Sequence, residues 1–233
     1  PRVAAYSDQY GWTSNAGGIS EASHAEYGSF DYSVTVPASF IVAGSGTLMN
    51  PSDVLTSDQR RSLLQARNSN QKVSVISPGQ AGTTDTRPQQ SGTLTWRFQM
   101  NGVRDVAWAA SPAFIWNAAN FSRPGKQDAL AMAYYPRSAM GGEAWNRAMY
   151  HTQKAVSLYS KRFAAFPWNN TTTVTGPTDA AFPGLSFCPP SATGRALFSC
   201  TVRNQSANWF PGIVASNPDR DPWLSAGLQT FLS

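Results

Sequence analysis

The chain has 233 residues, with 18 Lys+Arg against 13 Asp+Glu, a formal charge of +5, and 41% hydrophobic content. That length supplies one large core or two modest ones. Charged residues make up only 13%, against roughly 25% in an average soluble domain, which excludes a coiled coil, a charge-laced helical bundle and an acidic disordered tail.

The inventory for catalysis is thin. Glu occurs only at Glu21, Glu26 and Glu143, and the two imidazoles are His24 and His151. The 14 Arg are scattered, with only Arg60 and Arg61 adjacent to one another. Nucleic-acid binding needs clustered phosphate contacts and is not expected. No segment reaches the roughly 18 apolar residues of a membrane span. The longest apolar run, 106–116, is broken by Ser111 and Pro112 and reads as core. A surface rich in Ser, Thr, Asn and Gln suits a periplasmic or extracellular protein.

In chain order, the first half is written in period two. Phe30, Tyr32, Val34 and Val36 alternate with polar residues, which predicts a half-buried strand. Residues 39–43, 73–76, 94–98, 103–110 and 114–116 read as further strands, with a turn at Gly44-Ser-Gly46. One helix over 58–67 is expected, capped by Ser57. Residues 79–92 read as a mobile loop, and 117–126, containing Pro124-Gly125, as the loop between two halves.

The second half changes period. Trp145, Met149, Val156, Tyr159 and Phe163 fall on one face of a helix expected over 138–165. Residues 171–175 and 185–187 read as strands, 197–209 as a helix stopped by Pro211, and a last helix starts near Pro222. Cys188 and Cys200 enclose eleven residues, so either a disulfide or two buried thiols is open, while a CxxC metal or redox motif is excluded. Trp96, Trp108, Trp116, Trp209 and Trp223 are expected in the core or between domains, with a partner surface as the alternative.

Four segments carry a family resemblance: 103–112 (VRDVAWAASP), Ala181-Phe-Pro-Gly184, Asn208-Trp-Phe-Pro211 and 223–231 (WLSAGLQTF). Together they resemble the M1 zinc aminopeptidases, above all the long bacterial members. The resemblance implies an α+β fold over the whole chain. Residues 1–120 would be the C-terminal part of the family's N-terminal β-sandwich, and 121–233 a truncated thermolysin-like α/β catalytic-type domain.

The family's chemistry does not come with the frame. In M1 enzymes the helix ending in Asn-Trp-Phe-Pro carries H-E-x-x-H, whose two His bind Zn²⁺ from one helical face while the Glu acts as general base. The resemblance puts Arg203 and Ala207 at the His positions, Asn204 at the base, and Ala226 at the third ligand. Ala207 and Ala226 have no donor atom, Arg203 is a permanent cation, and Asn204 cannot take a proton from metal-bound water. A catalytic zinc takes three protein ligands, so no cofactor is expected. The Glu that grips the substrate's amino group corresponds to Ala181. Asp179, two residues away, reads as a loop cap or a substitute for it. The family's transition-state Tyr would lie beyond Ser233.

The expectation is therefore a non-catalytic, aminopeptidase-like protein. It would serve as a structural or interaction subunit of a larger assembly, which can be membrane-bound, with other protein subunits covering faces left bare by truncation. The alternative is a peptide-binding module that uses the edge strand near Ala181. Arg203 either points to solvent or pairs with nearby Asp side chains in place of the metal charge. His24 and His151 are expected in surface or packing roles.

Overall fold

A computed structural model describes residues 5–7, 11–13, 27–140, 144–214 and 222–232. The α+β class is as expected. A short hairpin, β1 (Ala5–Ser7) and β2 (Gly11–Thr13), opens the chain, and β3 (Gly28–Pro37), β4 (Ile41–Gly44) and β5 (Thr47–Leu48) follow. Helices α1 (Pro51–Val54) and α2 (Ser57–Arg67) lead to β6 (Val73–Ile76), β7 (Thr93–Val103), β8 (Trp108–Ser111), β9 (Phe114–Arg123) and β10 (Lys126–Pro136). Then come α3 (Ala148–Arg162), β11 (Asn170–Thr175), β12 (Ala180–Phe182), β13 (Leu185–Cys188), α4 (Gly194–Ser206) and α5 (Pro222–Leu232).

Three sheets of the described residues organise the rest. The largest has six strands in the order β12-β13-β11-β10-β9-β6, with β10, β11 and β13 parallel and the others antiparallel to their neighbours. Strands β3, β7 and β5 form a second sheet, and β4 pairs with β8. In β10 the period-two alternation divides two cores. Leu130, Met132 and Tyr134 join the core shared with β3, β4 and β7, whereas Ala131, Ala133 and Tyr135 face the helices. Burial on both faces explains why this strand reads as an unbroken apolar run. Alanines on the helical side let α3 lie close to the sheet, where it buries Met149, Thr152, Val156 and Tyr159 at helical spacing.

Several local expectations are corrected. The cap of α2 is Thr56, not Ser57: its hydroxyl accepts from Gln59 N–H, and the Gln59 side chain accepts from Thr56 N–H, a reciprocal capping box. The strand expected over 103–110 is split, because β7 ends at Val103 and β8 begins at Trp108. The loop expected over 117–126 is strand as far as Arg123, and only Pro124-Gly125 turn between β9 and β10. Residue 120 therefore lies inside a strand, and the six-stranded sheet draws strands from both sides of it. Buried Arg123 ties this hairpin down, donating to the carbonyls of Gln127, Phe166 and Trp168. The helix expected over 138–165 is shorter: 3-10 turns at Arg137–Met140 and Ala144–Arg147 precede α3. Its expected span included Gly141-Gly142, and each glycine costs a helix about 1 kcal/mol. Phe163, placed on its buried face, is half-exposed at the C-cap. The helix expected over 197–209 runs from Gly194 to Ser206 and passes into a wider turn at Asn208–Ile213.

Trp96, Trp116 and Trp209 are buried as expected, but Trp108 and Trp223 are exposed. Gly46 marks where the chain runs close against β7 as it enters β5: its φ is +87°, and a Cβ there would stand 2.3 Å from the Gln99 carbonyl oxygen. Gly102 also has a positive φ, of +66°, but has open space around it. Gly46→Ala is expected to cost roughly 3 kcal/mol or more and Gly102→Ala about 1 kcal/mol. Urea unfolding of the two variants side by side measures the difference.

Candidate functional site

The positions singled out by the resemblance lie where α4 meets the edge of the six-stranded sheet. Strand β12 is the edge strand, paired antiparallel with β13 so that Ala181 stands opposite Ser186. The turn before it carries Asp179. From α4, Arg203 forms an ion pair with the Asp179 carboxylate, and Asn204 Nδ2 donates to the same carboxylate at 2.7 Å and to the Phe187 carbonyl at 2.9 Å. Of the two readings of Arg203, pairing with an Asp is the one observed. Asp179 holds two residues of α4 to the sheet edge rather than capping its own turn.

The pair is open to water, with the Arg203 and Asp179 side chains 48% and 33% exposed, so its electrostatic contribution is small. Asn204, by contrast, is buried, which makes its hydrogen bonds the costlier ones to lose. One turn earlier on α4, Cys200 is joined to Cys188 of β13 in a disulfide, with a Cα–Cα distance of 6.1 Å. Asn204 Nδ2 lies 3.4 Å from Cys200 Sγ. A covalent bond, an amide and an ion pair thus fasten the same face of α4 to β13 and the turn before β12.

The remaining positions are not drawn into this cluster by any hydrogen bond. Ala207 ends α4 half-buried, Ala181 is half-buried in β12, and Ala226 is exposed on α5. Zinc, which the resemblance implies, does not suit these side chains. Arg203 is cationic and paired, the Asn204 amide is committed, and the three alanines have no donor. Among the described residues no three His, Cys, Asp or Glu side chains come together. His24, Glu21, Glu26 and Glu143 lie outside the described residues. His151 is half-buried on α3 with its ring edge-on to Phe198 at 5.3 Å. Burial, and next the Arg147 charge, lowers its pKa below the usual 6.5.

Sequence reasoning missed the residue that organises the region. Gln205, fully buried, accepts from Thr171 Oγ1 at 2.8 Å and Asn208 Nδ2 at 3.1 Å, and donates to Ser186 Oγ at 3.0 Å and Thr173 Oγ1 at 3.2 Å. Thr173 in turn bonds Thr152 of α3 at 2.7 Å, and Asn208 Oδ1 accepts from Gly184 N–H at 2.9 Å. The available signal was the run Thr171-Thr172-Thr173, three hydroxyls in a strand with no exposed face.

Gln205→Ala strands the buried Thr171 hydroxyl, removes a hydrogen bond each from Ser186, Thr173 and Asn208, and is expected to cost about 2–4 kcal/mol. Arg203→Ala should cost within about 1 kcal/mol. Denaturant unfolding of both variants separates the two expectations. For His151, the depressed pKa means the unfolded chain takes up the proton more readily than the folded one. Its contribution is present at neutral pH and lost as pH falls below the unfolded value of about 6.5. His151→Gln is expected to flatten that part of the stability profile, measured as urea midpoints between about pH 7.5 and 5.5.

No family model matches the sequence, and no curated protein matches it. Solved structures do. A mutant M1 zinc metallopeptidase from Deinococcus radiodurans, bound to a Tyr-Ser-Ala substrate, superposes with a TM-score of 0.61 at 19% identity. That match covers 95% of this chain and 46% of the other. The M1 zinc metallopeptidase structure from the same organism gives 0.58 at 17% identity, over 90% of this chain and 40% of the other. A two-domain M1 zinc metallopeptidase mutant bound to L-arginine gives 0.56 at 19% identity, over 95% and 46%. The chain spans less than half the length of these structures, and at this identity the likeness is one of fold: an M1-like α+β fold.

Proposed function

We propose that this chain is a non-catalytic, aminopeptidase-like protein that acts as a structural or interaction subunit of a larger periplasmic or extracellular assembly. The observation that carries this reading is the Arg203–Asp179–Asn204 cluster. On an M1-like fold, two of the positions assigned to zinc and its general base, Arg203 and Asn204, hold side chains bound to Asp179 before the edge strand, and the other two are Ala207 and Ala226. Such a site stabilises the scaffold and supplies neither a metal ligand nor a base.

Exposed apolar side chains support the interaction role. Trp223 is 68% and Phe231 82% exposed on α5, Trp108 is half-exposed on β8, and Tyr150, Leu158 and Phe198 are half-exposed on the helical layer. Aromatic side chains of this kind serve as anchors at protein interfaces. The Cys188–Cys200 disulfide supports an oxidising compartment. No described helix is long and apolar enough to cross a membrane, so a place in a membrane-bound assembly would come through a partner.

The second reading, a peptide-binding module, rests on β12, which pairs on one side only among the described residues. An extended peptide adds to such an edge by backbone hydrogen bonds.

Mild-detergent purification followed by light scattering is expected to give a stable complex with other proteins, in which Trp223→Ala and Phe231→Ala weaken association. A monodisperse monomer with no co-purifying protein overturns the subunit reading. Stoichiometric zinc together with hydrolysis of an aminoacyl substrate overturns the non-catalytic one. Peptide binding by calorimetry that Ala181→Pro abolishes would favour the second reading.

A further inference from the structure

Away from α4, a cavity of about 310 Å³ opens between the six-stranded sheet, the β3-β7-β5 sheet and α2. It reaches the lower end of the roughly 300–1,000 Å³ common for small-ligand sites. Its body is apolar, lined by Trp96, Phe98, Trp116, Leu130, Met132 and Tyr134. Helix α2 forms the mouth with Arg60, Leu63, Leu64 and Arg67, spaced so that all four share one helical face.

One feature points to the charge of an occupant. Neither Arg60 nor Arg67 has a carboxylate partner: the ion pairs among the described residues are Arg61–Asp58 and Arg203–Asp179.

We propose that this cavity binds a small apolar acid. The hydrocarbon fills the aromatic and aliphatic body, where burial drives binding. The anionic group lies at the mouth on Arg60 and Arg67, whose guanidinium groups suit a carboxylate. Asp179, Arg203 and Asn204 do not line the cavity, so this site is independent of the assembly role proposed above.

Calorimetry on the full chain tests it with decanoate and 1-decanol. Decanoate is expected to bind, and more tightly than the alcohol. The double variant Arg60→Gln, Arg67→Gln is expected to weaken decanoate roughly tenfold or more while leaving the alcohol unchanged. These two side chains lie at the cavity mouth, so unaltered thermal unfolding should accompany the loss. If decanoate does not bind, or the double variant binds it as the wild type does, the proposal is overturned: the cavity then holds water, or takes apolar molecules without regard to charge.

Discussion

The arrangement rests on a buried polar contact rather than on an apolar one. Gln205 holds α4 against β11 and β13 by using both ends of its amide, and Thr173 passes the connection on to Thr152 of α3. Apolar packing fixes only how close a helix lies to a sheet, because hydrophobic attraction has no direction. A fully satisfied amide fixes register as well, since any slide along the helix axis would leave several buried groups unpaired at once. The disulfide at Cys200 and the Asp179 contacts of Arg203 and Asn204 lie within about a turn and a half before this amide on α4 and share its register.

The sheets were legible because alternation is a local property of a strand. Residues 30–36, 73–76 and 94–98 announced themselves by it. The hairpin around Pro124-Gly125 was not legible, because a strand buried on both faces loses alternation, and its turn residues then look like a linker. The length of α3 was misread for the opposite reason, since a helical stripe continues across a glycine pair even where the backbone has no reason to. The positions assigned to the zinc site were read from the resemblance alone. Asp179 was read as a loop cap or as a substitute for the family's Glu, but its actual partners are across the chain on α4, and no sequence spacing encodes them. Gln205 escaped notice because a single glutamine in a helix is ordinarily a solvated residue.

A metal would organise this corner of an M1-like fold by pulling several side chains toward one point. Here the pull is distributed. Arg203 supplies a positive charge near the carboxylate of Asp179, but it does so on a long flexible stem in water. Most of the fixation falls to the buried Asn204 amide and the Cys188–Cys200 bond.

Gly46 has a wider meaning than the close backbone approach that requires it. Its carbonyl accepts from Asn170, so the joint between the first-half strands and the six-stranded sheet is also part of the cavity wall. The hollow is therefore a seam, and its width is the spacing of the two sheets. Whatever fills it acts as a spacer, and whatever moves one sheet against the other must open or shut it.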